Sequence, residues 1–182
     1  MNVMKLLLGL CLLLSGLQGI GQTTSKAVYV EVGGIGLPFS FSYDTRFKAG
    51  TNTGIGGRIG IGGFAIEDEK MLSIPAQVNW LFGKEKNYFE LGIGATFLHY
   101  DGYGYYEDYR CDATGCYPTG KFYAGDFILP ISNVNSVMGT LNFGYRRLPS
   151  GSGFTWKAAI TPVFNENGFW PLYAGVGVGY KF

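Results

Sequence analysis

From Leu172 to Phe182 the chain alternates without a break. Leu172, Ala174, Val176, Val178, Tyr180 and Phe182 stand opposite Tyr173, Gly175, Gly177, Gly179 and Lys181. A side-chain period of two is the mark of a β-strand with two unlike faces. What constrains the fold is the face opposite the apolar one, where glycine stands in place of the usual Lys and Glu. A strand of this kind belongs either to a water-soluble barrel with an apolar core or to a barrel that turns its apolar face to lipid.

Seven more segments repeat the pattern, at Val28–Gly33, Phe39–Lys48, Thr53–Phe64, Ile74–Phe82, Phe89–Phe97, Val137–Arg146 and Phe154–Thr161. With Leu172–Phe182 they make eight, an even number. The connections after the second, fourth and sixth, at 49–52, 83–86 and 149–152, are short and turn-like. Those after the first, third, fifth and seventh lie at 36–38, 65–70, 101–135 and 165–169, so the one long loop falls on the side away from both termini. That sorting predicts an all-β fold, an eight-stranded antiparallel up-and-down transmembrane β-barrel with both termini periplasmic and the loop at 101–135 outside.

Composition separates the two kinds of barrel. Charged residues are 15% of the chain and glycines number 30, too few charges and too many glycines for eight strands with one face in water. The aromatics also gather in two bands. Phe47, Trp80, Phe82, Phe89, Tyr145, Phe154, Trp156, Tyr180 and Phe182 lie toward the short turns, and Phe39, Phe41, Phe97, Phe164 and Trp170 toward the other rim. Aromatic girdles around an aliphatic middle suit the two interfaces of a bilayer. The last strand, at about 3.3 Å per residue and a tilt near 45°, spans roughly 25 Å, the height of the apolar band of such barrels.

The first residues obey another logic. Lys5 precedes the apolar run Leu6–Leu17, which is too short to cross a bilayer and fits the h-region of an export signal. Small residues at Gly19 and Gly21 place cleavage before Gln22, giving a signal peptide at 1–21 and a barrel at 22–182. Cys11 comes after Leu10 inside the apolar run, which argues against lipid attachment there. The mature chain keeps 13 basic and 13 acidic residues, without a basic cluster, so nothing points to nucleic acid.

The closing segment Gly177-Val178-Gly179-Tyr180-Lys181-Phe182, taken with the eight strands, resembles the small outer-membrane barrels of the outer-membrane-protein-A and -X type. The resemblance covers the whole mature chain. It implies residence in the bacterial outer membrane among its lipid and lipopolysaccharide. A terminal Phe with an aromatic third from the end implies recognition of the last strand by the barrel-assembly machinery. Glu31-Val32-Gly33-Gly34 and Tyr43-Asp44-Thr45-Arg46-Phe47 also resemble outer-membrane proteins of the Bacteroidota. Neither resemblance carries a catalytic motif.

Few residues could carry chemistry. Parity puts Glu31, Asp44, Arg46, Lys48, Arg58, Glu90, Arg146, Lys157 and Lys181 on the inward face. Buried charges need partners, so an ion-pair network filling the lumen is expected, with Arg58 and Arg146 as candidate partners of Glu31 and Glu90. The other reading of the same residues is a narrow pore favouring anions. Cys111 and Cys116 in an exported loop point to a disulfide; zinc would need a second ligand pair, and the chain's single histidine is His99. His99 falls outward beside Phe97. It resembles the histidine of outer-membrane lipid A deacylases, but those place Ser two residues later, where this chain has Asp101. No catalytic, cofactor-binding or metal residue is therefore assigned, and no cofactor. The glycine runs lack the GK[ST] of a phosphate loop.

The long loop holds Tyr103, Tyr105, Tyr106, Tyr109, Tyr117 and Tyr123, with a formal charge of −3. Tyrosines among small polar residues suit a recognition or adhesion surface for an extracellular ligand that the sequence does not identify. They equally suit strands that continue above the membrane and pair across it. The expected role is structural or adhesive rather than enzymatic.

Overall fold

The computed structural model describes residues 24–66, 69–101, 105–124, 131–132 and 135–182. The expected export segment at 1–21 lies outside them, as do Tyr103 and Asp126. Thirteen strands occur among the described residues. They are β1 (Lys26–Gly33), β2 (Phe39–Arg46), β3 (Gly54–Ile66), β4 (Glu69–Lys84), β5 (Asn87–Asp101), β6 (Tyr105–Asp112), β7 (Gly115–Ala124), β8 (Ile131–Ser132), β9 (Asn135–Arg147), β10 (Gly153–Ile160), β11 (Val163–Asn165), β12 (Gly168–Trp170) and β13 (Ala174–Lys181).

Eight of them close a barrel in the order β1-β2-β3-β4-β5-β9-β10-β13 and back to β1, every neighbour antiparallel. The closing ladder sets Val30 against Val178 and Glu31 against Gly177. A slip of one residue there would carry the charges to the outside, so the alternation itself fixes the register. Val28, Val30, Val32, Ile59, Ile93, Val137, Val176 and Val178 form an exposed aliphatic belt. Aromatic pairs edge it, with Trp80 stacked on Phe82 at 4.9 Å and Tyr145 tilted against Trp156 at 5.1 Å. Buried residues are largely polar: Ser42, Asn79, Thr96, Thr140, Thr155 and the charged groups of the lumen. Apolar skin and polar core invert the order of a water-soluble protein.

Three features depart from the sequence reading. β4 and β5 run 16 and 15 residues, well past the expected ends at Ile74 and Phe97. Beyond those points Met71, Leu98 and Tyr100 are buried in the lumen, so both faces turn apolar and the alternation fades although the ladder continues. Fifteen residues at ~3.4 Å and ~45° rise roughly 36 Å, so this wall stands clear of a ~25 Å apolar band. Second, Lys48 is exposed in the β2–β3 turn rather than inward, because β2 ends at Arg46 and alternation no longer orients the residues after it. Third, the β1–β2 connection is no surface loop. Gly34–Gly36 form a buried 3-10 turn, and Ile35 and Leu37 fill the barrel mouth. Thr96 Oγ1 donates to the Ile35 carbonyl and Ser73 Oγ to that of Gly36. The entry into the turn requires glycine. Gly33 has φ +72°, and a Cβ there would lie 2.2 Å from the Ala174 carbonyl oxygen.

Candidate functional site

Two places could carry function, the lumen and the long loop. In the lumen the alternation of six strands delivers charged side chains to one level. Asp44 is the hub. Its carboxylate accepts from Arg46 at 2.8 Å, Arg146 at 2.9 and 3.1 Å, Arg58 at 3.3 Å and Asn79 at 2.8 Å. Glu90 accepts from Arg58 at 2.7 Å and from Arg146 Nε at 2.9 Å. Glu31 pairs with Lys157 at 2.6 Å, takes a hydrogen bond from Ser42 at 2.6 Å and lies 3.6 Å from Arg58 Nη1. The structure thus brings together the charges that alternation sends inward from Glu31 to Lys157, Lys48 alone excepted. Lys181 stands apart, its ammonium donating to the carbonyls of Pro149 and Ser150.

Two members were not singled out in the sequence. Asn79 donates to Asp44 and Glu90 and accepts from Arg46. The buried Tyr29 ring lies 5.7, 5.3 and 5.2 Å from the cationic groups of Arg58, Arg146 and Lys157, close enough for cation–π attraction. Parity could have placed both inward; nothing in the sequence shows that they touch the charges. Gly177 leaves the space they need, since a Cβ there would sit 3.0 Å from both Glu31 Cγ and Lys157 Cε.

Among the described residues, apolar clusters flank this layer on both sides. Leu81, Tyr88 and Leu148 pack together toward the short turns. Leu37, Met71, Leu98, Tyr100, Met138 and Val163 pack together toward the loops, with Phe64 and Tyr173 against them. An ionic middle between two apolar seals opposes a continuous water path.

The long loop folds on itself. β6, β7 and β8 make a three-stranded sheet separate from the barrel sheet, with a bulge between Glu107 and Tyr109. At the β6–β7 turn Cys111 pairs with Cys116 in register and the two are joined as a disulfide. The Asp112 carboxylate accepts from Thr114 Oγ1 at 2.6 Å and from its backbone N at 2.7 Å. These bonds hold that carboxyl below its ordinary pKa. Of the six tyrosines, Tyr109 and Tyr117 are 57% and 52% exposed, and Tyr117 shares a hydrogen bond with Thr114 at 3.0 Å. Tyr105, Tyr106 and Tyr123 lie in the paired stretches of β6 and β7.

The ring closed by this disulfide is small and should restrain the unfolded hairpin by about 2 kcal/mol. Protein purified without reductant is expected to show no thiol that reacts with maleimide, and reduction to leave the barrel's unfolding midpoint unchanged. Two freely reactive cysteines would dismiss the disulfide.

His99 is exposed on β5, its Nδ1 2.8 Å from Asn135 Oδ1. Among the described residues no three His, Cys, Asp or Glu side chains converge as metal ligands would.

No protein-family model matches the chain, and no curated protein matches it. Solved structures do. The N-terminal β-barrel domain of Pseudomonas aeruginosa OprF aligns over 88% of this chain and 98% of its own, with a TM-score of 0.51 at 12% identity. The Yersinia pestis outer membrane protein Ail aligns over 87% and 99%, with 0.46 at 12%. Neisserial surface protein A aligns over 87% and 94%, with 0.44 at 10%. At 12% identity the likeness to the OprF domain establishes fold alone: a closed eight-stranded antiparallel barrel.

Proposed function

We propose that the chain resides in the bacterial outer membrane as a sealed, non-enzymatic barrel that displays the β6–β8 sheet as a recognition or adhesion surface. In this reading the short turns and both termini face the periplasm and the last strand, ending at Phe182, is what the assembly machinery engages. The observation that carries the reading is the loop's construction. Among the described residues its sheet pairs only within itself, a disulfide ties its tip, and Tyr109 and Tyr117 present their rings to solvent. Rigid tyrosines offer large contact area at low entropic cost. Binding of cells displaying the full protein to arrays of glycans and matrix proteins tests it. Tyr109→Ser/Tyr117→Ser is expected to weaken a captured interaction by about tenfold or more, the loss of one hot-spot contact, while the barrel still folds. Displaying cells that bind nothing beyond empty cells would dismiss the reading.

The cationic excess in the lumen favours a narrow anion pore as a second reading. The apolar seals oppose it, and planar bilayers holding the purified protein are expected to show no steady unitary current. Regular channel openings would establish the pore instead.

A further inference from the structure

The ionic layer does not balance. Arg46, Arg58, Arg146 and Lys157 face Glu31, Asp44 and Glu90, four cations against three carboxylates, all buried. Next to it, toward the loop end, buried polar atoms make no hydrogen bond among the described residues. They include both amide atoms of Gln77, Nδ2 of Asn142 and Oγ1 of Thr140. These residues are neighbours on the inner wall. Arg58 pairs across the ladder with Gln77, Gln77 with Gly94, Gly94 with Thr140, and Gly92 with Asn142.

Gly92 and Gly94 leave the wall between them bare. A Cβ on Gly92 would fall 2.4 Å from Gln77 Nε2 and 3.3 Å from Asn142 Cβ, so the Gln77 amide lies over Gly92 toward Asn142. Buried polar groups without partners are costly and call for one. Water supplies as many donors as acceptors. Here the amide nitrogens of Gln77 and Asn142 and a hydroxyl stand against one free amide oxygen, beside a surplus positive charge. An acceptor that carries negative charge satisfies both.

We infer that the lumen binds one small inorganic anion of halide size at the amide nitrogens of Gln77 and Asn142, next to Arg58, the ladder partner of Gln77. The carboxylates of Glu31 and Glu90 are already engaged by Lys157, Arg58 and Arg146, so they do not displace it. The anion completes the charge of the layer and locks it between the two apolar seals.

Bromide is the probe. The mature chain is refolded from urea into micelles in potassium bromide or in potassium gluconate, whose anion is much larger than a halide. Crystals grown from the bromide sample are expected to show an anomalous peak in contact with Gln77 Nε2 and Asn142 Nδ2. In solution the folded-to-unfolded ratio should rise about tenfold in bromide at ten times its Kd, and Gln77→Leu should abolish the difference between salts. No anomalous peak at the site, or equal stability of the wild-type barrel in both salts, overturns the inference and leaves water as the occupant. The wild-type measurements decide the matter even if Gln77→Leu does not fold.

Discussion

Asp44→Asn is expected to destabilise the barrel by about 3–5 kcal/mol, the cost of leaving a buried ion network without one of its charges. The substitution keeps the volume and removes the hub. Arg46, Arg146, Arg58 and Asn79 all donate to the Asp44 carboxylate, and the new amide would point a donor at guanidinium groups. Urea unfolding of the mature chain in lipid, monitored by tryptophan fluorescence and gel mobility, measures the effect. Asp101→Asn, on an exposed strand end, serves as control and should stay within about 0.5 kcal/mol. Equal stabilities of the Asp44 variant and wild type would mean that the lumen charges do not hold the barrel together.

The second large effect is on the outer face. Val176→Arg and Ile93→Arg should each cost about 2–4 kcal/mol, the penalty for charge near the middle of the hydrocarbon. Val176 sits between Val32 and Ala158, and Ile93 between Val78 and Leu141. Their side chains are on the exposed face, at 61% and 62%. Were that face in water, Arg would be tolerated almost freely at both. Negligible losses at the two sites would therefore reverse the assignment of inside and outside.

The barrel is legible because alternation is a local property. Each of the eight segments declares its two faces on its own, and composition decides which of them meets lipid. The same parity sends Glu31, Asp44, Arg58, Glu90, Arg146 and Lys157 inward. It is silent on Asp44 as hub, and on Asn79 and Tyr29 as members, because contacts across a lumen depend on stagger between strands far apart in sequence. Where composition changes, so does legibility. Met71, Leu98 and Tyr100 make the upper lumen apolar and hide the full length of β4 and β5. Leu37 reads as part of the short connection at 36–38 and Ile35 as part of no strand, since a turn folding into the barrel mouth has no signature in residue order. Lys48 shows the opposite error, an alternation that runs past the last paired residue.

The separate pairing of β6 and β7 bears on what this scaffold tolerates. Residues 105–124 share no ladder with the barrel, so the barrel wall takes none of its register from their identity. A different disulfide-closed hairpin of similar span could be exchanged for them while the strands beneath kept their partners. An engineer grafting an epitope would then act on a cassette, leaving the membrane-embedded part free to stay constant.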